Sequence, residues 1–256
     1  FIADVDDSDE GGNDFAFVVT AHEIAHQWWA HQVIGADVLG ATMLSESLSE
    51  YVALKVTEEV NGKNKMRKFL KRSLDTYLTQ RTFETKRENA LMYNDGQGYI
   101  HYQKGSLIFY ALSDYIGEKL LNKTLSNYVE KVAFQSPPYT TSIELVDDLR
   151  VVIPDSLNYV IKDMFETITL YENRVLKAES KELENGKYQV DLEFRVSKYR
   201  NDEKGKMFFG DEERDSIFYK SDDMRKPEYS VYLEDYIDVG VFGEDDDNEL
   251  LSLIHI

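Results

Sequence analysis

Apolar positions recur every three or four residues over the first two thirds of the chain, and every second residue after that. "FAFVVTAHEIAHQWWAHQVIG", from Phe15, is apolar around most of its circumference and predicts one buried helix ending at Gly35. "TMLSESLSEYVALKVTEEVNG" places Leu44, Leu48, Tyr51 and Val52 at i, i+4, i+7 and i+8, a second helix stopped by Asn61-Gly62. "NKMRKFLKRSLDTYLTQR" carries the stripe Met66, Phe69, Leu70, Tyr77 and Leu78, with a solvated basic face of Arg67, Lys68, Lys71 and Arg72. The loop "NDGQG" leads into a helix from Tyr99 to Gly117, then "EKLLNKTLSNYVEKVAF" makes another, stopped before Pro137-Pro138. Two short helices, "SIELVDDLRVV" and "DSLNYVIKDMFE", flank Pro154.

The period then drops to 2. In "KYQVDLEFRV" the side chains of Tyr188, Val190, Leu192, Phe194 and Val196 point one way, and Asn185-Gly186 before it signals a hairpin. "EYSVYLEDYIDVGVF" alternates in two halves. The pattern predicts an α+β chain in three pieces. Residues 1–166 form a helical domain and 167–249 a small antiparallel β-sheet or sandwich domain, while 250–256, "LLSLIHI", is an apolar tail read as non-native and set aside. The first residue is Phe1, so the helical domain is expected to lack its N-terminal part.

Composition narrows the chemistry. Apolar residues make up 42% and aromatics 12% of 256 residues, enough for real cores. There is no cysteine, so any metal must be held by histidine and carboxylate. The formal charge of −19 lacks the basic footprint nucleic acid requires, though it could draw a cationic ligand such as a peptide amino terminus. No apolar run reaches the ~18 residues of a membrane span, so a membrane is expected only through segments absent from this chain. Compartment is left open between the exposed domain of a membrane-anchored protein and the cytoplasm.

The chemistry is concentrated in "HEIAHQWW". On a helix, residues i and i+4 share a face, so His22 and His26 can offer two imidazole nitrogens to one ion. Glu23 is rotated about 100° from His22 and reaches a water instead of ligating. Zinc acidifies such a water, and a neighbouring carboxylate can take its proton and hand it to a leaving amine. Five histidines would give the motif by chance in about one chain in a hundred, and a core helix with two hydrogen-bonded histidines is the plain alternative. His31 is rotated about 140° off the ligand face, and Trp29 and Gln32 stand where a metzincin needs Gly and His. Glu46, on the following helix, can approach the imidazoles if the two helices pack antiparallel across "GADVLGA", completing two histidines and one glutamate.

"AHEIAHQWW" followed by "LSESLSEY" resembles the gluzincin metallopeptidases of the aminopeptidase N family. Their pattern is His-Glu-x-x-His-x-Trp, then Leu-Asn-Glu-Gly with a Tyr five residues past the Glu. The resemblance implies a thermolysin-like zinc peptidase domain binding one zinc ion through His22, His26 and Glu46, with Glu23 as general base. "HYQKG" resembles the family's Tyr-Glu-Lys-Gly segment and implies that Tyr102 stabilises the oxyanion. Glu50, one turn past Glu46, is a candidate to accept the outer N–H of His22. His101 is assigned no role.

Nineteen residues separate His26 from Glu46 where the family has eighteen, which reads as an insertion in "IGADVLGA". Ser45 and Ser47 replace the family's Asn and Gly. The Gly-x-Met-Glu-Asn motif that grips a substrate's amino terminus is not found; "FIADVDDSDE" occupies the nearest stretch. The expected function is a zinc-dependent aminopeptidase with a peptide substrate. The alternative is a non-catalytic, peptidase-like domain that binds peptides or partners in a membrane transporter assembly, since the resemblance extends to proteins fused to ABC-type permease segments.

Overall fold

In the computed structural model, which describes residues 15–208, 235, 239–242 and 249–252, the apolar stripes become helices with one dry side. α1 (Phe15–Ala25) is separated by a looping segment from α2 (Leu48–Asn61), and α3 (Lys63–Arg81) follows directly. α2 buries Leu48, Tyr51, Ala53 and Leu54 along one side. α3 buries Met66 and Tyr77 and leaves its Lys/Arg run exposed. α4 (Gly105–Ile116), α5 (Glu118–Val132), α6 (Ser142–Val152) and the short α7 (Asn158–Ile161) complete the helices. Phe109, Leu112, Leu121, Tyr128, Leu145, Leu149 and Phe165 form a core shut off from water. α6 starts where its sequence says, because the hydroxyl of Thr141 accepts the Glu144 N–H.

Two expectations are corrected. The first helix does not run to Gly35 but ends at Ala25. His26 N–H still reaches the His22 carbonyl at 3.3 Å, then the chain coils with Ala30 at φ +105° and a bridge between Trp29 and Val33. The exit buries Trp29 and Val33 while Trp28 and Ile34 stay exposed. A stretch apolar on all sides carries no periodic mark of where the helix stops. Secondly, the segments bearing Glu46 and Tyr102 are not plain α-helix: Met43–Ser47 and Tyr99–Lys104 are π-turns leading into α2 and α4.

The β portion begins at Ile168. β1 (Ile168–Tyr171) is followed by β2 (Arg174–Glu182) and β3 (Tyr188–Arg195), which pair as an antiparallel hairpin. The hairpin closes around Asn185-Gly186, with Leu183 N–H bonded to the Lys187 carbonyl at 2.7 Å. β4 (Lys198–Asn201) lies antiparallel between β1 and β5 (Met207–Phe208), and β6 (Gly240–Phe242) pairs with β7 (Glu249–Ser252). Leu250–Ser252, part of the stretch set aside as a tail, thus sit in a strand. Tyr188, on the apolar side of β3, is 64% exposed.

The chain divides into two compact units between Thr167 and Ile168, with the β6–β7 pair grouped with the first. No described helix is long and apolar enough to cross a membrane. The stretch "FIADVDDSDE" and most of "EYSVYLEDYIDVGVF" lie outside the described residues.

Candidate active site

α1 delivers His22 and His26 one turn apart, and their rings meet edge to face with centroids 4.7 Å apart. The π-turn Met43–Ser47 lays Glu46 across them: one carboxylate oxygen, Oε2, is 3.3 Å from His22 Nε2 and 3.6 Å from His26 Nε2. These three residues each direct one ligand atom to a common point, the atoms lying within 4.8 Å of one another; no other such group occurs among the described residues. His31 is exposed and outside the group.

The outer ring nitrogens are engaged. His22 Nδ1 is 3.0 Å from Glu50 Oε2, placing Glu50 where the sequence offered it. His26 Nδ1 is 2.9 Å from the Trp29 carbonyl and 3.1 Å from Ser49 Oγ. A carboxylate and a carbonyl can only accept, so both rings donate from Nδ1, which leaves the Nε2 of each, facing Glu46, as the nitrogen that would ligate an ion. Two imidazole lone pairs and a carboxylate, with no thiolate and an open side, are the donor set of a hydrolytic zinc centre, and these residues fit that ion. Sequence reasoning did not find Ser49 or the Trp29 carbonyl. Ser49 is three residues past Glu46 and therefore on its face, a signal that was available; the carbonyl depends on the helix exit at His26.

Charge in the pocket is strongly coupled. Burial works against a charged His22, but hydrogen bonds to Glu46 and Glu50 override it and raise its pKa to about 9. The His22 hydrogen bond, aided by the Tyr102 hydroxyl, draws Glu46 down to about 2 against the opposing effect of burial. Tyr102 lies with its ring centroid 5.8 Å from that of His22. Burial first, then the charge of Glu46, pushes its phenol up to about 12, so it stays protonated and able to donate. The charge of Glu23, exposed on α1, is also felt at Tyr102.

A helical domain that gathers two imidazoles and a glutamate in this way is a zinc metallopeptidase domain of the His-Glu-x-x-His class. More particularly, residues 1–167 match the peptidase family M1 domain, and the chain belongs to that family. It is 23% identical over 158 residues to aminopeptidase M1-B of Oryza sativa subsp. japonica, spanning 59% of this chain and 17% of that protein. Among solved structures it is similar to the M1 zinc metallopeptidase of Deinococcus radiodurans, at 21% identity and a TM-score of 0.45, covering 58% of this chain and 32% of that one. A mutant of that enzyme bound to a Tyr-Ser-Ala substrate gives 20% identity and a TM-score of 0.46 over the same shares. The chain therefore spans less than a third of these structures and about a sixth of the plant relative.

Proposed function

We propose that the chain carries the catalytic centre of a zinc aminopeptidase, with zinc held by His22, His26 and Glu46. The observation that carries this reading is the convergence of His22 Nε2, His26 Nε2 and a Glu46 oxygen while both outer ring nitrogens are tied down. When bound, zinc supplies Lewis acidity, acidifying water and polarising a carbonyl.

The chain's own residues do the rest. Glu23, adjacent to His22 but turned from the ligand face, takes a proton from the attacking water and returns it to the leaving amine. The Tyr102 hydroxyl donates to the oxygen on which charge builds as the tetrahedral carbon forms. Glu50 holds His22 in the tautomer that ligates. The peptide substrate and its cleavage at the amino end are supported by the motif resemblance and by the plant relative's being an aminopeptidase.

Glu23→Gln tests the assignment in the intact protein. Zinc content is expected to stay at one ion while kcat/KM on aminoacyl-coumarin substrates falls about 10²–10⁴-fold, the usual worth of a general base. Undiminished turnover in that variant would refute the role. A wild-type protein that binds zinc but hydrolyses neither aminoacyl nor internal peptide bonds would refute the peptidase reading.

A further inference from the structure

The π-turn carrying Glu46 packs against the π-turn carrying Tyr102, and side-chain hydrogen bonds tie both ends of the first to one residue of the second. At its C-terminal end, fully buried Ser47 donates its hydroxyl hydrogen bond to the His101 carbonyl at 2.7 Å. At its N-terminal end, Thr42 Oγ1 accepts from Asn94 Nδ2 at 2.9 Å, and the same amide nitrogen lies 2.9 Å from His101 Nδ1. The Asn94 amide cannot be turned over, because its oxygen accepts the Gln97 N–H at 3.1 Å. Asn94 is therefore the donor, and His101 is held neutral with its proton on Nε2.

The His101 ring, 6% exposed, stands edge-on to Tyr102 with centroids 4.3 Å apart. The close approach also explains Gly105: a Cβ there would lie 2.2 Å from Ser47 Oγ and 2.6 Å from Ser47 Cβ.

We infer that Ser47, Asn94 and His101 are positioning residues that fix the Tyr102 hydroxyl relative to Glu46; this rests on the zinc-peptidase reading of the site. Ser47 and Asn94 are not among the three ligands, and their hydrogen bonds run to His101. A Tyr donor displaced by about an ångström loses its alignment with the developing charge, which costs on the order of 10²-fold in rate. Ser47, which stands where the resembling family has glycine, has a use for its hydroxyl in this chain: the directed hydrogen bond to the His101 carbonyl.

Two measurements on the intact protein test this. The first needs no catalysis: ¹⁵N NMR of the imidazoles is expected to show His101 neutral with the proton on Nε2, and Asn94→Ala to abolish that fixed tautomer. A wild-type His101 protonated on Nδ1 overturns the arrangement. The second is kinetic. Ser47→Ala and Asn94→Ala are each expected to lower kcat about 10- to 100-fold with KM and zinc content little changed.

In a Tyr102→Phe background the same two substitutions are expected to cost less than about 2-fold, because the group they position is already gone. Equal losses in both backgrounds show a general structural role and overturn the inference. Two variants are used so that poor folding of one, seen in its Tm, leaves the other to decide. Failure of the underlying reading shows separately, as wild-type protein that binds zinc and cleaves nothing; that result overturns the positioning role as well, whatever the NMR shows.

Discussion

At the scale of single residues, Lys104 is a buried charge, among the described residues, whose cost can be measured: its ammonium lies over the Tyr77 ring at 5.4 Å from its centroid. The residue is 6% exposed, and its ammonium is buried without a hydrogen-bond partner, 3.9 Å from Glu88. Glu88 is already satisfied by the Tyr77 hydroxyl and by Arg81. Burial pulls the Lys104 pKa from 10.5 down to about 8. Between those values the unfolded chain holds a proton that the folded chain has released, so stability rises with pH over that window; below it the cost of the buried charge is fully present. Lys104→Met is expected to raise Tm at pH 7 and to flatten the rise between about pH 8 and pH 10.5, both read by thermal unfolding. At the metal centre the expectation is the reverse of tolerance. Chelation is expected to lower Tm and added zinc to restore it, since an ion bound only by the folded chain stabilises it by mass action. Glu46→Gln is expected to shrink that zinc-dependent shift sharply.

At the scale of elements, the boundaries that could be read in the sequence are those set by local chemistry, and the ones that could not are set by contacts from elsewhere. α6 and α3 lie within a residue of their expected spans because a Thr cap and Gly62 act on their own neighbours. The π-turn Met43–Ser47 has no such signature. Its wider turn, which carries Glu46, is set by the contacts of Ser47 and Thr42 with residues far along the chain. Gly40 closes that loop at φ +87°, with its N–H bonded to the Asn94 carbonyl. A Cβ at Gly40 would come within 2.1 Å of the Met92 carbonyl oxygen and 2.2 Å of Ser142 Oγ. Gly40→Ala combines that clash with a left-handed backbone, and a loss of at least about 2 kcal/mol is expected in urea unfolding.

At the scale of the whole molecule, every proposed ligand and positioning group lies before Thr167, in the first of the two compact units. The basic run of α3, the one cationic stretch singled out in an acidic sequence, is a solvated helix face. A formal charge of −19 repels itself across the surface, and salt screens that repulsion within about 10 Å at 0.1 M. Raising NaCl from about 0.02 to 0.5 M is therefore expected to raise Tm; a fall would show that the surface ion pairs, such as Lys131 with Asp148, outweigh the net charge.

The sequence by itself determined that His22 and His26 could share a helix face and that Leu48 and Tyr51 would lie on the buried side of α2, while Leu78 of the α3 stripe stays exposed. Those relations follow from a fixed 3.6-residue period and need no knowledge of the rest of the fold. It also offered Glu46, on the segment after the motif, as a third ligand, and Tyr102 through resemblance to a known family. Only the tertiary structure decided where α1 stops, which groups hold the outer nitrogens of the histidines, and that Ser47 and Asn94 meet His101 from positions 54 and seven residues away. Hydrogen-bond partners of that kind depend on ångström-scale approach between separate segments. Periodicity within one segment carries no record of it.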